Sequence, residues 1–137
     1  MTVDSKSINE GFSRAVVAAF AAQLDPTLDE ISDIKMAVSE AVTNCIVHAY
    51  PDSVGKIYIY AAVLEGGTVK ISVRDKGCGI IDVRQAMEPL FTTLGGERAG
   101  LGFAVMESFT DRISVRSAPE KGTTVTMYKK INGRAAT

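Results

Sequence analysis

Three polar side chains, Glu40, Asn44 and the chain's one histidine, His48, recur at intervals of four in the stretch SEAVTNCIVHAY. Each residue of an α-helix turns the direction by about 100°, so positions four apart drift by only about 40° and project nearly together. The three therefore form one polar ridge. A carboxylate can take up a proton, and an amide oxygen can ligate a hard cation. A set of Glu, Asn and one His suits zinc poorly, but it suits magnesium, which takes few protein oxygens and keeps waters and phosphates as its other ligands. On the helix alone the ridge reads equally well as the wet side of an amphipathic helix. The surrounding Ala37, Val38, Ala41, Val42, Cys45 and Ile46 are apolar, however, and a helix so largely apolar is buried on several sides, which turns the ridge toward a cleft.

Glycines punctuate the remainder. In RDKGCGI the residues Asp75, Gly77 and Gly79 follow a strand as DxGxG. Glycines at alternate positions let the backbone turn sharply and approach a flat ligand, and a carboxylate at the strand end can accept from an exocyclic amine. The GLG of Gly100, Leu101 and Gly102 opens a helix, where free N–H groups and the helix dipole favour phosphate. KGTT, with Thr123, reads as a turn carrying hydroxyls. Between DxGxG and GLG lies EPLFTTLGGERAG, containing Thr92, Thr93 and Arg98. It is predicted to be a polar loop of a length that is usually functional or mobile.

The elements that must position these groups follow from periodicity. Phe12, Val16, Phe20 and Leu24 repeat every fourth place and predict an amphipathic helix from Ile8 to Leu24. Thr27 and Glu30 have the spacing of a capping box and open a second helix, carried by Ile31, Ile34, Val38, Val42 and Ile46 to about Ala49, before Pro51. GKIYIYAAVLEGGTVKISVRD is a predicted hairpin turning at EGG. A short apolar-periodic piece spans Val83 to Met87, a third helix reads LGFAVMESFT, and DRISVRSA with TTVTMYKK makes a second hairpin. Four strands arriving as two hairpins, with about three helices, predict an α+β fold: a two-layer α/β sandwich whose mainly antiparallel sheet is covered on one face. One domain over residues 1–137 is expected, with 131–137 a frayed tail.

Composition narrows the function. The 137 residues are 46% hydrophobic, enough for a real core. Fifteen basic and sixteen acidic residues leave a net charge of −1 without a Lys/Arg block, which argues against direct binding of nucleic acid. No apolar run approaches the roughly 20 residues of a membrane span, and the N-terminal residues lack a signal-peptide pattern. Cys45 and Cys78 form neither a CxxC pair nor a disulfide framework. A cytoplasmic location is expected.

In this order, ExxxNxxxH, DxGxG, a long loop, GxG and GTT resemble the GHKL family of ATPases (the Bergerat fold) over roughly residues 8–130. Within that family the small size, together with VSEAVTNCIVHAYP, EPLFTT, ERAGLGFAVMESFTD and KGTTV, is most similar to the anti-sigma serine kinases of sporulation, with the general-stress anti-sigma kinases as the nearest alternative. The resemblance implies ATP or ADP with Mg2+, a sigma factor held inactive, an anti-anti-sigma protein phosphorylated on serine, and a homodimer. It implies Glu40 as general base and Asn44 as metal ligand. Asp75 would read the adenine, with Gly77 and Gly79 as its wall. His48, Thr92, Thr93, Gly100, Leu101, Gly102 and Thr123 would complete the nucleotide site, Arg98 would reach the terminal phosphate, and Arg14 would contact the protein partners. The chain departs from the family in two places: MTVDSKSINEGF leaves a shortened or missing first strand, and Leu94 stands where a lysine is common. Three other readings stay open: a nucleotide-gated switch without transfer, a scaffold without nucleotide, and the ATP-binding fragment of a sensor kinase.

Overall fold

The computed structural model describes residues 1–80 and 97–134. Among them, five strands form one antiparallel sheet in the order β1-β2-β3-β5-β4. The strands are β1 (Thr2–Asp4), β2 (Lys56–Leu64), β3 (Thr68–Asp75), β4 (Arg112–Ala118) and β5 (Gly122–Lys130). Three α-helices, α1 (Ile8–Ala21), α2 (Leu28–Asn44) and α3 (Glu97–Ser108), pack with the sheet around a single core. The expected two-layer sandwich is therefore present, with one more strand than the two hairpins predict. The extra strand is the short β1, which pairs antiparallel with β2 through Thr2 opposite Tyr58 and Asp4 opposite Lys56.

Strand alternation sets the inner face. Ile57 and Ile59 on β2, Val69, Ile71 and Val73 on β3, and Val125 and Met127 on β5 are all buried, as a period of two requires when one face is covered. Asp75 continues the β3 row and Thr123 the β5 row, and the two residues stand opposite each other in the register. The alternation that builds the core thus also delivers a carboxylate and a hydroxyl to the helix side.

The helices correct the sequence reading in four respects. In α1 the predicted apolar row is the outward one: Phe12 is 53% exposed, and Val16 and Phe20 are also exposed, whereas Ser13, Val17, Ala18 and Ala21 are buried. Small side chains let α1 lie close to α2, so size outweighs hydrophobicity in choosing the buried face. After α1 the chain narrows to a 3-10 turn over Ala22–Leu24. The second helix keeps α geometry only to Asn44 and continues as a π turn over Cys45–Ala49, a form frequent at functional sites. The third begins at Glu97, ahead of GLG.

The capping box is present as predicted. Glu30 N–H donates to Thr27 Oγ1 at 3.1 Å and Thr27 N–H to Glu30 Oε1 at 2.8 Å. Glu30 also accepts from the N–H groups of Asn132 at 2.7 Å and Gly133 at 3.1 Å, and Arg134 N–H donates to Asp25 O at 2.8 Å. With Ile131 buried, residues 131–134 are docked rather than frayed, because one carboxylate satisfies the helix start and the chain end together. Residues 135–137 and the predicted piece from Val83 to Met87 lie outside the described residues. Thr27→Ala should lower stability by about 1 kcal/mol. Glu30→Ala should lower it further, because it also releases the chain end. Thermal melting that ranks the two variants equally would contradict this account.

Candidate functional site

The site forms where the C-terminal end of α2 passes over the ends of β3 and β5. Asn44, His48, Asp75, Gly79 and Thr123 line one cleft, whose apolar walls include Ala41, Val73, Phe103 and Val125. Three local rules deliver the polar residues: the helical ridge brings Asn44, the π turn His48, and strand alternation Asp75 and Thr123.

Asp75 is the buried charge of the site, 5% exposed. Its Oδ1 accepts from the N–H of Gly77 at 3.0 Å and of Thr123 at 3.1 Å, and its Oδ2 accepts from the Cys45 thiol at 3.5 Å. Burial pushes the Asp75 carboxyl above its ordinary value, and the hydrogen bonds from Gly77, Cys45 and Thr123 oppose that rise. The Cys45 thiol is pushed up strongly, first by burial and then by the Asp75 carboxylate, so it remains an S–H donor.

The glycines act by close approach. A Cβ on Gly77 would collide with the Ala49 carbonyl, and one on Gly79, whose φ is +74°, with the Ala118 carbonyl. Cys78 N–H donates to Ala49 O at 3.1 Å, and its thiol donates to His48 O at 3.0 Å. The DxGxG segment is therefore clamped against the π turn. Gly102 has the same character: a Cβ there would stand 2.9 Å from Asn44 Oδ1. It lies in the second turn of α3, not at the helix entry that the sequence suggested, because contact with α2 outweighs the roughly 1 kcal/mol that glycine costs inside a helix.

Asn44 Nδ2 is buried and has no hydrogen-bond partner among the described residues. An amide left so invites a ligand in the cleft. Among the described residues no group of three or more His, Cys, Asp or Glu could hold a metal ion. A cation here would depend on Asn44 and on oxygens brought by the ligand, which fits magnesium with a nucleotide.

Glu40 is half-buried one turn before Asn44, outside the lining of the cleft's enclosed part. Arg14 is exposed on α1 and donates to Glu10 Oε1 at 3.2 Å and to Ser39 Oγ at 3.3 Å, which puts it beside the residue preceding Glu40. Arg98 and Leu101 belong to α3. Thr92 and Thr93 lie outside the described residues. Sequence reasoning missed Ser117, which accepts from Ile80 N–H at 2.8 Å and stands 2.7 Å from the Thr123 hydroxyl. It also missed Cys45 as a partner of Asp75. The signal for Cys45 was its place one step past Asn44 in the second helix, and Ser117 had none beyond its hairpin.

Residues 8–129 match the histidine kinase-like ATPase domain, a nucleotide-binding domain. The chain is 61% identical over 128 residues to the anti-sigma F factor of Caldanaerobacter subterraneus subsp. tengcongensis, covering 93% of this chain and 89% of that protein. It is 50% identical over 128 residues to the anti-sigma F factor of Bacillus subtilis, covering 92% and 87%. Among solved structures, the RsbU and RsbW domains of Rv1364c from Mycobacterium tuberculosis superpose with a TM-score of 0.69 at 24% identity, over 96% of this chain and 32% of that one. The histidine kinase domain of the Erythrobacter litoralis EL346 blue-light activated kinase does so with a TM-score of 0.61 at 19% identity, over 90% and 61%. These two likenesses carry the fold alone. No helix among the described residues is long and apolar enough to cross a membrane. From its matched domain and its identity to these relatives, the chain belongs to the histidine kinase-like ATPase domain family and, within it, to the anti-sigma F factors.

Proposed function

We propose that this chain is a cytoplasmic anti-sigma kinase that binds ATP with Mg2+, holds a sporulation sigma factor inactive and phosphorylates a serine of the antagonist that competes for it. The observation that carries this reading is the convergence of Asn44, Asp75 and Thr123 on one cleft. The high identity to anti-sigma F factors supports the choice of partners.

In this reading Asp75 accepts a hydrogen bond from the exocyclic amine of adenine, while Gly77 and Gly79 let the backbone lie against the ring. Asn44 holds Mg2+, which when bound neutralises charge on the phosphates. Thr92, Thr93, Gly100, Leu101, Gly102 and Thr123 complete the nucleotide contacts with His48, and Arg98 meets the terminal phosphate. Phosphoryl transfer asks a protein mainly for positioning and charge compensation. Glu40 orients the attacking serine hydroxyl and takes its proton as the oxygen bonds to the γ-phosphorus. The bond from that phosphorus to the β-phosphate oxygen breaks, leaving ADP and phosphoserine. Arg14 meets the partner that approaches the base, a role supported by its hydrogen bond to Ser39 next to Glu40. The exposed row of Ile8, Phe12, Val16 and Phe20 on α1 is the apolar surface that a homodimer would cover.

With labelled ATP, Mg2+ and the antagonist protein, Glu40→Gln should reduce phosphate transfer by roughly 10²–10⁴-fold while ADP affinity stays close to that of the parent. Transfer by this variant at the parental rate would remove Glu40 from the mechanism. Asp75→Asn should weaken ADP binding by roughly 10–100-fold, the range for a lost hydrogen bond to a charged group. A protonated carboxyl accepts more weakly than a carboxylate, and burial makes Asp75 take its proton at a higher pH, so parental ADP affinity should begin to fall at a higher pH than an ordinary aspartate, with its value of 3.8, would give. The stability contribution of the same group runs the other way. It is present below the unfolded value and is lost as pH rises through the raised folded value, so at neutral pH Asp75→Asn should melt no lower than the parent. Calorimetric titration and thermal melting across pH check both trends, and undiminished ADP binding by Asp75→Asn would exclude Asp75 as the base reader.

A further inference from the structure

We propose that Cys45 is a specificity-determining residue of the nucleotide site: its thiol fixes Asp75 as an acceptor with one open position and so selects a purine bearing an exocyclic amine over one bearing a carbonyl there. The inference rests on the nucleotide reading above and adds to it a residue at a position that the ExxxNxxxH pattern leaves unspecified.

A carboxylate oxygen has two acceptor positions. On Asp75, Oδ1 uses both, for the N–H groups of Gly77 and Thr123. Oδ2 accepts from the Cys45 thiol, and among the described residues no other hydrogen bond to Oδ2 is formed. One position remains, and both Asp75 and Cys45 line the cleft. The arrangement is thus a carboxylate held at three points with a single acceptor available to a ligand. An amine N–H satisfies that acceptor. A carbonyl oxygen in the same place would face a second oxygen with no proton between them, a pairing that leaves buried polar groups unsatisfied.

Cys45 is suited to this duty by its place. It opens the π turn, is only 4% exposed, and shares the cleft lining with the apolar Ala41, Val73 and Phe103. Held there, the sulfur donates its proton to Asp75 Oδ2 at 3.5 Å. Removing the donor would leave Oδ2 without its only partner among the described residues. The carboxyl would then take a proton more readily and could donate to a carbonyl oxygen, which erases the preference for an amine.

The test compares ADP with IDP, which differ at this position of the base by an amine against a carbonyl. Calorimetric titration with Mg2+ would be run on the full chain, on Cys45→Ala and Cys45→Val, which lack the donor at smaller and larger volume, and on Cys45→Ser, which restores a donor. Melting curves would confirm that each variant folds, and the two volumes guard against loss of one by misfolding. The parent should prefer ADP, the Ala and Val variants should lose about tenfold of that preference, and Ser should recover most of it. A preference unchanged in Ala and Val, an equal loss for both nucleotides, or a Ser variant as indifferent as Ala would overturn the role of the thiol. A parent chain that binds neither nucleotide would instead overturn the nucleotide reading itself.

Discussion

A carboxylate buried at the end of a strand is unfavourable unless hydrogen bonds compensate for the water it loses, and the local structure around Asp75 supplies them. The turn after β3 must fold back to present the Gly77 N–H, β5 must pair in the register that brings the Thr123 N–H to the same oxygen, and α2 must pass close enough for Cys45 to reach the other. Each requirement constrains a different element. The glycines follow from this packing, since a side chain at Gly77, Gly79 or Gly122 would collide with the backbone of Ala49, Ala118 or Asp75. The cleft is what remains open when these elements close around one charge.

The same junction links the site to the outer face of the molecule. Asn44 lies under Gly102 of α3, one helical turn further back is Glu40, and Ser39 beside it is tied to Arg14 on α1. In the proposed function a ligand in the cleft therefore bears on α2, which contacts both of the other helices. An occupant at Asn44 and a protein partner at Arg14 would share that helix, which gives a short physical route by which nucleotide state could alter partner choice.

Much of this was legible in the sequence, for identifiable reasons. The capping box at Thr27 and Glu30, the hairpin turning at EGG and the alternation ending in Asp75 are local signals whose partners lie within a few residues or follow a strict period. The inner row of α2, with Ile34, Val38 and Val42, came from the same kind of regularity. What could not be read depended on tertiary packing. The hydrophobic row of α1 points outward because Ser13, Val17 and Ala21 fit more closely against α2, and no single-helix pattern encodes the size of a gap. Residues 131–134 dock because Glu30, about a hundred positions earlier, has acceptors to spare. Gly100 and Gly102 lie inside a helix since Gly102 answers to Asn44, not to its own propensity. The bond between Cys45 and Asp75 joins two motifs that the sequence presents as unrelated.

All of these threads meet in the claim that the pocket beneath the end of α2 receives the base of an adenine nucleotide with Asp75 as its reader. The most direct measurement is a crystal structure of the chain grown with ADP and Mg2+. The account predicts the exocyclic amine within hydrogen-bonding distance of Asp75 Oδ2, on the side away from Cys45, with the phosphates extending toward Asn44. A nucleotide bound elsewhere, or bound in this cleft with its amine turned away from Asp75, would contradict it.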